Sequence, residues 1–331
     1  MTEKVLYRSM NFPLFTGMFS RFSGRDELEA YYRSGGLNGL EVIHCDEPID
    51  PMVENDMING VHLFFHLFWM DFWKEDYKEL NRIFDSREQW IEYFGGETKD
   101  AYISRVRQDL AYAKSVGAKY VVFHVSESAP AECFSFRCKY SDEEVIDAAI
   151  EVINLLLDDS GYEFEFLMEN LWWTGLNLKN PTLTKRLLDG IHYKKKGIML
   201  DTGHYLNTNP DLKSGAEACM YLLKMYHDHE KAGLGSYFKG MHLQYSLSGE
   251  YVRGREWEKE KWFQNFDKLP FYEKYRLTYE HAQKVDWHRP FLDSGIREVM
   301  DTIAPIYVTY EFKQNSKEQY LEWAKLQTEK F

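Results

Sequence analysis

Short runs of β-branched and aromatic residues alternate along the chain with longer segments of helical periodicity. Eight such runs are predicted as strands, at residues 5–9, 40–44, 60–65, 120–125, 163–169, 197–201, 240–243 and 306–311. This alternation is typical of repeated strand–helix units around a parallel sheet, because parallel strands need a long crossover between them. Eight strands fit a closed α/β barrel better than an open, doubly wound sheet.

Helices are predicted between the strands, and some of their ends carry recognisable signals. The segments are 98–116, 141–157, 181–188, 211–231 and 316–330. Ser141 and Glu144 form the Ser-x-x-Glu pattern of a capping box, in which each side chain accepts a hydrogen bond from the other residue's backbone N–H. Gly117 and Gly190 stand where helices should end.

Two segments interrupt the alternation. Residues 45–57 are acidic and contain proline, so the helix expected there should be short or missing. Residues 245–281, after the seventh strand, are charged and aromatic and are predicted to form a lid-like insertion on the catalytic face. No internal repeat or linker is evident, so we predict one (β/α)8 TIM-barrel domain over residues 1–331 that carries this long insertion.

The composition disfavours several classes of protein. Hydrophobic residues make up 44% of the chain and charged residues 28%, which is ordinary for a globular protein with a large core. The net charge of −13 argues against a nucleic-acid partner, because such partners usually require a basic face that displaces counterions from phosphates. The most apolar run, residues 61–70, is too short to cross a bilayer, so no membrane segment is expected.

The four cysteines form neither a CxxC pair nor a short disulfide framework. They are Cys45, Cys133, Cys138 and Cys219. Reduced thiols are the simplest interpretation, and with no apolar signal peptide in residues 1–10 they favour a cytoplasmic location. Cys133 and Cys138 could form half of a metal clip, although no second pair completes it.

Metal-ligating side chains follow every predicted strand from the third to the eighth. They are His62, His124, Glu169, Asp201 with His204, His242 and Glu311, joined after the insertion by Asp286 and His288. In a barrel, polar residues at the carboxyl ends of strands face the mouth where substrates bind. Zinc and manganese accept this mixture of imidazole nitrogen and carboxylate oxygen. The pattern therefore predicts a divalent metal site at the mouth.

The histidines do not identify this site one by one. A lone histidine after a strand is more often a hydrogen-bonding or core residue than a ligand, and this applies to His62 and to His124. His66 competes with His62 for the third-strand position. We favour His62 because it directly follows the start of the strand at Gly60.

The carboxylates give a stronger signal. Glu169 and Glu311 each end an apolar strand, and a carboxylate that faces a barrel mouth needs a counter-charge. The run from Asp201 to His204 (DTGH) is the most specific short motif, since its glycine allows a sharp turn that can bring both side chains to one ion.

The motifs at the strand ends resemble those of the xylose isomerase-like TIM-barrel superfamily. They are residues 166–170 (FLMEN), 198–204 (IMLDTGH), 241–243 (MHL) and 307–311 (YVTYE). That superfamily includes sugar and sugar-phosphate isomerases and epimerases and also the apurinic endonuclease IV family. The resemblance runs from the second strand to the last and is specific for the superfamily, but not for a substrate.

The resemblance implies one of two metal sites. In the isomerases and epimerases a single ion would be held by Glu169, Asp201, His242 and Glu311, with His204 near the substrate. In endonuclease IV the site would be trinuclear. Its nine ligands would be His62, His124, Glu169, Asp201, His204, His242, Asp286, His288 and Glu311. The expected cofactor is therefore Zn²⁺ or Mn²⁺, with one ion or up to three.

Three features depart from the endonuclease pattern. Residues 291–295 replace the Gly-Glu-Gly usually found after the equivalent of His288, the segment before Asp286 is much longer, and aromatic residues replace the polar loop after the third strand. The aromatic residues are Phe64, Phe65, Phe68, Trp69, Phe72 and Trp73. They could stack on a substrate, pack in the core or form the contact of a homodimer, and the sequence leaves these roles open.

The leading hypothesis is an isomerase or epimerase of a small sugar, sugar phosphate or inosose-like substrate. The metal would polarise a carbonyl group and acidify the neighbouring C–H bond. Glu169 and Glu311 would act as general base and acid across an enediolate intermediate, and His204 would orient a substrate hydroxyl.

Four further residues are candidates for substrate binding. Trp172 and Trp173 follow Glu169 and would stack on a sugar ring. Arg253 or Arg255 would clamp a phosphate, although arginines in a charged insertion are more often only solvated.

Two other functions are retained. The first alternative is a multinuclear zinc phosphoester hydrolase of the endonuclease IV type, and the second is a barrel that binds a ligand without catalysis. The number of metal ions per chain would distinguish the three.

Overall fold

The computed structural model describes residues 6–45, 47–313 and 316–330. In this part of the chain, eight parallel strands close into a barrel. They are β1 (Tyr7–Leu14), β2 (Gly39–His44), β3 (Ile58–His62), β4 (Tyr120–His124), β5 (Glu165–Glu169), β6 (Lys196–Asp201), β7 (Phe238–Leu243) and β8 (Tyr307–Tyr310). Each strand pairs with the next, and β8 closes on β1 with Tyr307 opposite Tyr7. The predicted (β/α)8 barrel is confirmed.

Helices surround the barrel and fill the segments between strands. Those of seven or more residues are Arg25–Ser34, Tyr77–Ile83, Arg87–Phe94, Lys99–Ser115, Asp142–Leu157, Pro181–Gly190, Gly215–Lys231, Phe271–Val285, Ile296–Ile303 and Lys317–Thr328. Shorter helices are Thr16–Phe19, Met70–Trp73, Glu132–Ser135, Thr202–Leu206, Gly249–Gly254 and Lys261–Gln264, with 3₁₀ turns at Asn55–Met57, Gly235–Tyr237, Glu256–Lys259 and Phe266–Lys268. Outside the barrel, Ser126–Glu127 pairs antiparallel with Thr174–Gly175. None of the described helices is long and apolar enough to cross a membrane.

The predicted boundaries hold for most elements. The capping box of Ser141 and Glu144 is present, and both of its hydrogen bonds form. Between β2 and β3 the described residues contain only the 3₁₀ turn, as the proline-bearing acidic segment predicted. The first strand differs, because it runs to Leu14 and not to Ser9. Alternate residues from Met10 to Leu14 are buried there and extend its inward face. Val5, where that strand was predicted to begin, lies outside the described residues.

The loop after β3 is packed by its own aromatic residues. Phe68, Trp69, Phe72 and Trp73 are buried, and Phe72 stacks on Phe94 with 4.1 Å between ring centroids. Core packing is therefore the role of these four side chains, which are not available as a subunit contact. A further residue of the loop, Phe65, is 40% exposed and lies at the barrel mouth.

A layer of side chains fills the barrel below the mouth. Tyr120, Val122, Leu167, Met199 and Tyr307 form this buried cluster. A Cβ atom at Gly60 in β3 would lie 2.2 Å from the Tyr120 ring, so the glycine lets this ring cross the barrel interior. The Tyr120 hydroxyl then points up toward the strand ends. The layer forms a closed floor beneath the candidate site.

Candidate metal centre

Nine side chains that can bind a metal converge at the carboxyl ends of the strands. They form three groups, His62 with His124 and Glu169, then Glu169 with Asp201, His242 and Glu311, and finally His204 with Asp286 and His288. Within each group the potential ligand atoms all lie within 4.8 Å of one another. These are the nine residues that the strand-end pattern and the family resemblance pointed to, and the structure brings all of them together.

The first group is centred on one oxygen of Glu169. Its Oε2 atom lies 3.2 Å from His62 Nε2 and 2.9 Å from His124 Nε2, and the two nitrogens are 3.1 Å apart. A tetrahedral zinc ion with bonds near 2.1 Å would hold its ligand atoms about 3.4 Å apart. The spacing of these three atoms therefore suits ligands that share one ion.

The second group uses the other oxygen of the same carboxylate. Glu169 Oε1 lies 3.2 Å from His242 Nδ1, and Glu311 Oε2 lies 3.5 Å from the same nitrogen. Asp201 Oδ2 and Glu311 Oε2 are buried, and neither has a hydrogen-bond partner among the described residues. Unsatisfied buried carboxylate oxygens are strongly unfavourable, and a bound cation would satisfy both. The donor set thus fits a divalent metal ion.

The third group is formed by His204, Asp286 and His288. The Nε2 atom of His204 is 3.2 Å from Asp286 Oδ2, and His288 Nε2 contacts that same oxygen. His204 Nδ1 is 3.4 Å from Glu169 Oε1, so the third group adjoins the second. The three groups form one continuous patch, with Glu169 at its centre.

Main-chain carbonyl groups set the orientation of three histidine rings. The Nδ1 atoms of His62, His204 and His288 lie 3.0, 2.9 and 2.7 Å from the carbonyl oxygens of Leu63, Asn170 and Glu311, respectively. A neutral ring that donates from Nδ1 keeps its lone pair on Nε2, which in each case is the atom that faces the site. Rings of metal-binding histidines are commonly held in this way.

Glu41 is a buried carboxylate of the site that the sequence analysis missed. It is 1% exposed, and its oxygens lie 3.0 and 3.1 Å from His242 Nε2. The hydroxyl groups of Tyr120 and Thr309 each donate to it at 2.8 Å. Burial alone would raise the pKa of Glu41, but His242, His62 and the Tyr120 hydroxyl together outweigh burial and lower it. The carboxylate therefore holds His242 with Nδ1 toward the second group. A charged residue inside an apolar strand was the available signal.

Gln244 and Ser246 hold two of the acidic residues. The Gln244 amide donates to Asp201 Oδ1 at 3.1 Å and to Asp286 Oδ1 at 2.8 Å, and Ser246 Oγ also donates to Asp286. A Cβ atom at Gly203 would lie 2.0 Å from the Gln244 side chain. Gly203 is part of the helix Thr202–Leu206, so close approach of Gln244, and not a sharp turn, explains the glycine of the DTGH motif.

Charge dominates the chemistry of the patch. Burial disfavours charge on His204 and His242, but the surrounding carboxylates outweigh it and raise the pKa of both residues well above the ordinary value. The same balance, with Asp286 as the main partner, raises the pKa of His288 to about 9. Burial raises the pKa of Asp201, and nearby carboxylates add to the rise. The negative field that produces these shifts also attracts metal cations.

A cavity of about 250 Å³ opens above the patch. Trp172 and Trp173, the candidates for stacking on a substrate, line it, and the centroids of the Trp172 and His204 rings are 5.2 Å apart. No lysine or arginine lines the cavity among the described residues. A separate cavity of about 300 Å³, bordered by Glu127 and Lys274, is lined by none of the nine residues.

Several other candidates lie away from the patch. His66 is buried among Phe64, Tyr93 and two further aromatic rings, where burial and then Arg105 lower its pKa to about 3. Of the two third-strand histidines, His62 is the one in the patch, since β3 ends at that residue.

The structure does not bring the two candidate phosphate-binding arginines to the cavity. Arg253 pairs with Asp211, and Arg255 pairs with Glu258 at 2.6 Å. Both side chains form ion pairs with nearby acidic residues and neither lines the cavity, so neither is placed to clamp a phosphate at the metal patch. Cys133 and Cys138 belong to none of the three groups found among the described residues, so the structure gives no support to the suggested metal clip.

Comparison with known proteins gives a family. A model described as xylose isomerase-like TIM barrel matches residues 65–259, more than half of the chain. No curated protein matches the sequence closely enough to count as a relative.

Solved structures of similar shape are only distantly related in sequence. A D-tagatose 3-epimerase-like protein is 13% identical with a TM-score of 0.49, and the match covers 98% of this chain and 99% of that one. An L-ribulose 3-epimerase is 12% identical, with a TM-score of 0.49 and coverages of 97% and 92%. The probable 3-DHS dehydratase AsbF from Bacillus anthracis, described as involved in petrobactin synthesis, is 10% identical, with a TM-score of 0.47 and coverages of 97% and 98%.

Proposed function

We propose that this chain, which belongs to the xylose isomerase-like TIM-barrel family, is a divalent-metal-dependent hydrolase of phosphoesters whose barrel mouth holds up to three ions. The observation that carries the proposal is the position of Glu169. One of its oxygens faces His62 and His124, and the other faces His242. A carboxylate divided between two ligand groups suits a multinuclear site, and such sites are typical of phosphoester cleavage.

The residues available to hold the ions divide without conflict. His62, His124 and Glu169 Oε2 would take one ion, and Glu169 Oε1 with Asp201, His242 and Glu311 a second. The third would lie between His204, Asp286 and His288. Ions bound in such a site lower the pKa of water and neutralise charge on a phosphoryl group.

The chain's own residues supply position and shelter. In phosphoester hydrolysis the oxygen of water bonds to phosphorus, the ester P–O bond breaks, and the leaving alcohol takes up a proton. Trp172 and Leu171 wall one side of the cavity and limit the access of bulk water. Glu41 and Gln244 hold His242, Asp201 and Asp286 in place, so the patch needs little rearrangement to act.

An isomerase or epimerase is the second candidate, and one observation favours it. Glu169, Asp201, His242 and Glu311 form a complete single-metal set by themselves. Two carboxylates, Glu169 and Glu311, flank one nitrogen of His242 and would exchange a proton with a substrate carbon. We place this function second because it leaves His62, His124, Asp286 and His288 at ligand spacing without a use.

Elemental analysis of the purified chain tests the proposal. After reconstitution with Zn²⁺ or Mn²⁺ we expect two to three ions per chain, and His124→Ala should lose about one of them. His192→Ala is the matched control, because His192 pairs with Asp158 on the surface and is 68% exposed. The loaded chain should release phosphate or alcohol from simple phosphoesters.

One ion per chain, unaffected by His124→Ala, would reject the multinuclear proposal. Exchange of a carbon-bound hydrogen of a ketose or inosose in deuterated water, followed by NMR, would then identify the isomerase.

A further inference from the structure

One face of the helix Phe271–Val285 forms a wall of the cavity. Tyr275, Tyr279 and Ala282 line the cavity, and Asp286 follows directly at the helix end. These residues are spaced by four, three and four positions, which places them along a single face of an α-helix. The wall therefore leads from the cavity entrance to the third metal-ligand group.

The helix is fixed firmly enough to act as a wall. The Phe271 ring packs against Phe84 with 4.1 Å between centroids, and the Phe271 backbone N–H donates to the Asp85 carboxylate. At the other end, the Gln244 amide donates to Asp286 Oδ1 at 2.8 Å. Tyr275 and Tyr279 are thus presented on an anchored element and not on a loose loop.

The wall is aromatic and uncharged. Tyr279 is 59% exposed at the cavity mouth, and Phe65 and Trp172 stand on other sides of the same space. Since no lysine or arginine of the described residues lines the cavity, a charged substrate group finds counter-charge only where metal ions would bind. The rest of the substrate meets flat apolar rings.

We propose that Tyr275 and Tyr279 determine specificity by stacking on an aromatic group that the phosphoester carries. This assignment rests on the proposed hydrolase function and narrows its substrate to a small aryl phosphoester with one charged group. A long nucleic acid fits poorly, because its successive phosphates would find no cation along this wall.

Binding of two phosphonates tests the wall without requiring any reaction. Phenylphosphonate and methylphosphonate share the charged group, contain no ester bond, and differ in the ring. By calorimetry on the metal-loaded full chain, we expect phenylphosphonate to bind about tenfold more tightly. Tyr279→Ala should reduce this preference to about twofold while the metal content stays unchanged.

Tyr272→Ala is the matched control. Tyr272 lies on the same helix and is also 59% exposed, but it does not line the cavity. Its replacement should leave the preference intact. Equal effects of the two substitutions, no preference for the phenyl compound, or no binding of either phosphonate would overturn the proposal. Tighter, salt-sensitive binding of a short single-stranded oligonucleotide would also overturn the small-molecule assignment.

The same measurements separate the two proposals. A preference that depends on Tyr279, in a chain that hydrolyses no phosphoester, would support the wall and reject the hydrolase. Hydrolysis of aryl and alkyl phosphoesters at equal kcat/KM, with no preference in binding, would support the hydrolase and reject the wall.

Discussion

The two halves of the cavity differ in origin, burial and charge. The half built from strand ends is polar and buried, with Glu169 1% and His62 3% exposed. The half built from the segments after β3, β5 and β7 is aromatic and partly open, with Phe65 40% and Tyr279 59% exposed. The strand ends thus hold most of the groups that can do chemistry, while the connecting segments add His204, Asp286 and His288 and determine what fits beside them.

The strand-end half should depend most on its shared carboxylate. Glu169→Gln keeps the size of the side chain but removes the charge that both ligand groups use. We expect the loss of about two ions per chain and a fall in hydrolysis on the order of 10³-fold. Glu165→Gln is the control, since Glu165 begins the same strand and pairs with Lys239 away from the mouth. Metal content equal to wild type would show that the carboxylate is not shared.

The connecting half should depend on packing and not on charge. Phe68 is buried. Phe68→Ala should therefore lower the free energy of unfolding by about 3–5 kcal/mol. Phe65→Ala, at the exposed end of the same loop, should change it by less than about 1 kcal/mol. Denaturant unfolding of both variants checks this difference. Equal destabilisation would mean that Phe65 is part of the core.

Substitution of the residues that orient the candidate ligands should weaken metal binding less than substitution of the candidate ligands themselves. Glu41→Gln removes the carboxylate that pairs with His242 Nε2 and should weaken metal binding by about 10- to 100-fold. Tyr120→Phe removes one of the other hydrogen bonds to Glu41 and should have a weaker effect. Competition with a chelator gives both affinities, and a shifted Co²⁺ absorption spectrum would report the altered position of His242.

The smallest effect should come from His66, which lies in the loop after β3 and packs among aromatic rings away from the metal patch. In the folded chain the pKa of His66 is about 3, below its ordinary value of 6.5. Between pH 3 and pH 6.5, His66 is therefore protonated in the unfolded chain and neutral in the folded one. Its contribution to stability is therefore complete above pH 6.5 and is lost as the pH falls toward 3. In the metal-free chain we expect a loss of about 1 kcal/mol per pH unit from pH 6 to 4. His66→Phe should lower that slope, and an unchanged slope would contradict the assignment.

The same contrast explains what the sequence could predict. The candidate ligands His62, Glu169 and Asp201 follow from a local rule, because parallel strands deliver their last residues to one rim. This rule could not predict Glu41, because Glu41 lies in the middle of β2 and not at its end. It contacts His242 across the barrel interior. Its role depends on Tyr120 and Thr309, which are distant in sequence.

The roles of residues between β7 and β8 could not be predicted from their side-chain chemistry alone. Arg253 seemed suited to a phosphate and instead pairs with Asp211, whereas Tyr279 carried no motif and lines the cavity. The path of 63 residues between β7 and β8 depends on tertiary contacts, such as that of Phe271 with Phe84, that no periodicity encodes.

The helix Phe271–Val285 carries the cavity-lining residues Tyr275 and Tyr279 along one face and is followed directly by the candidate ligand Asp286. If Tyr275 and Tyr279 bind a molecule and Asp286 binds an ion, this one helix connects the two binding sites. By thermodynamic linkage, any coupling between the two sites would be mutual. The ion would then strengthen ligand binding by the same free energy by which the ligand strengthens ion binding. A bound ligand would then lower the dissociation constant of the ion, and removal of the metal would be measured as weaker ligand binding.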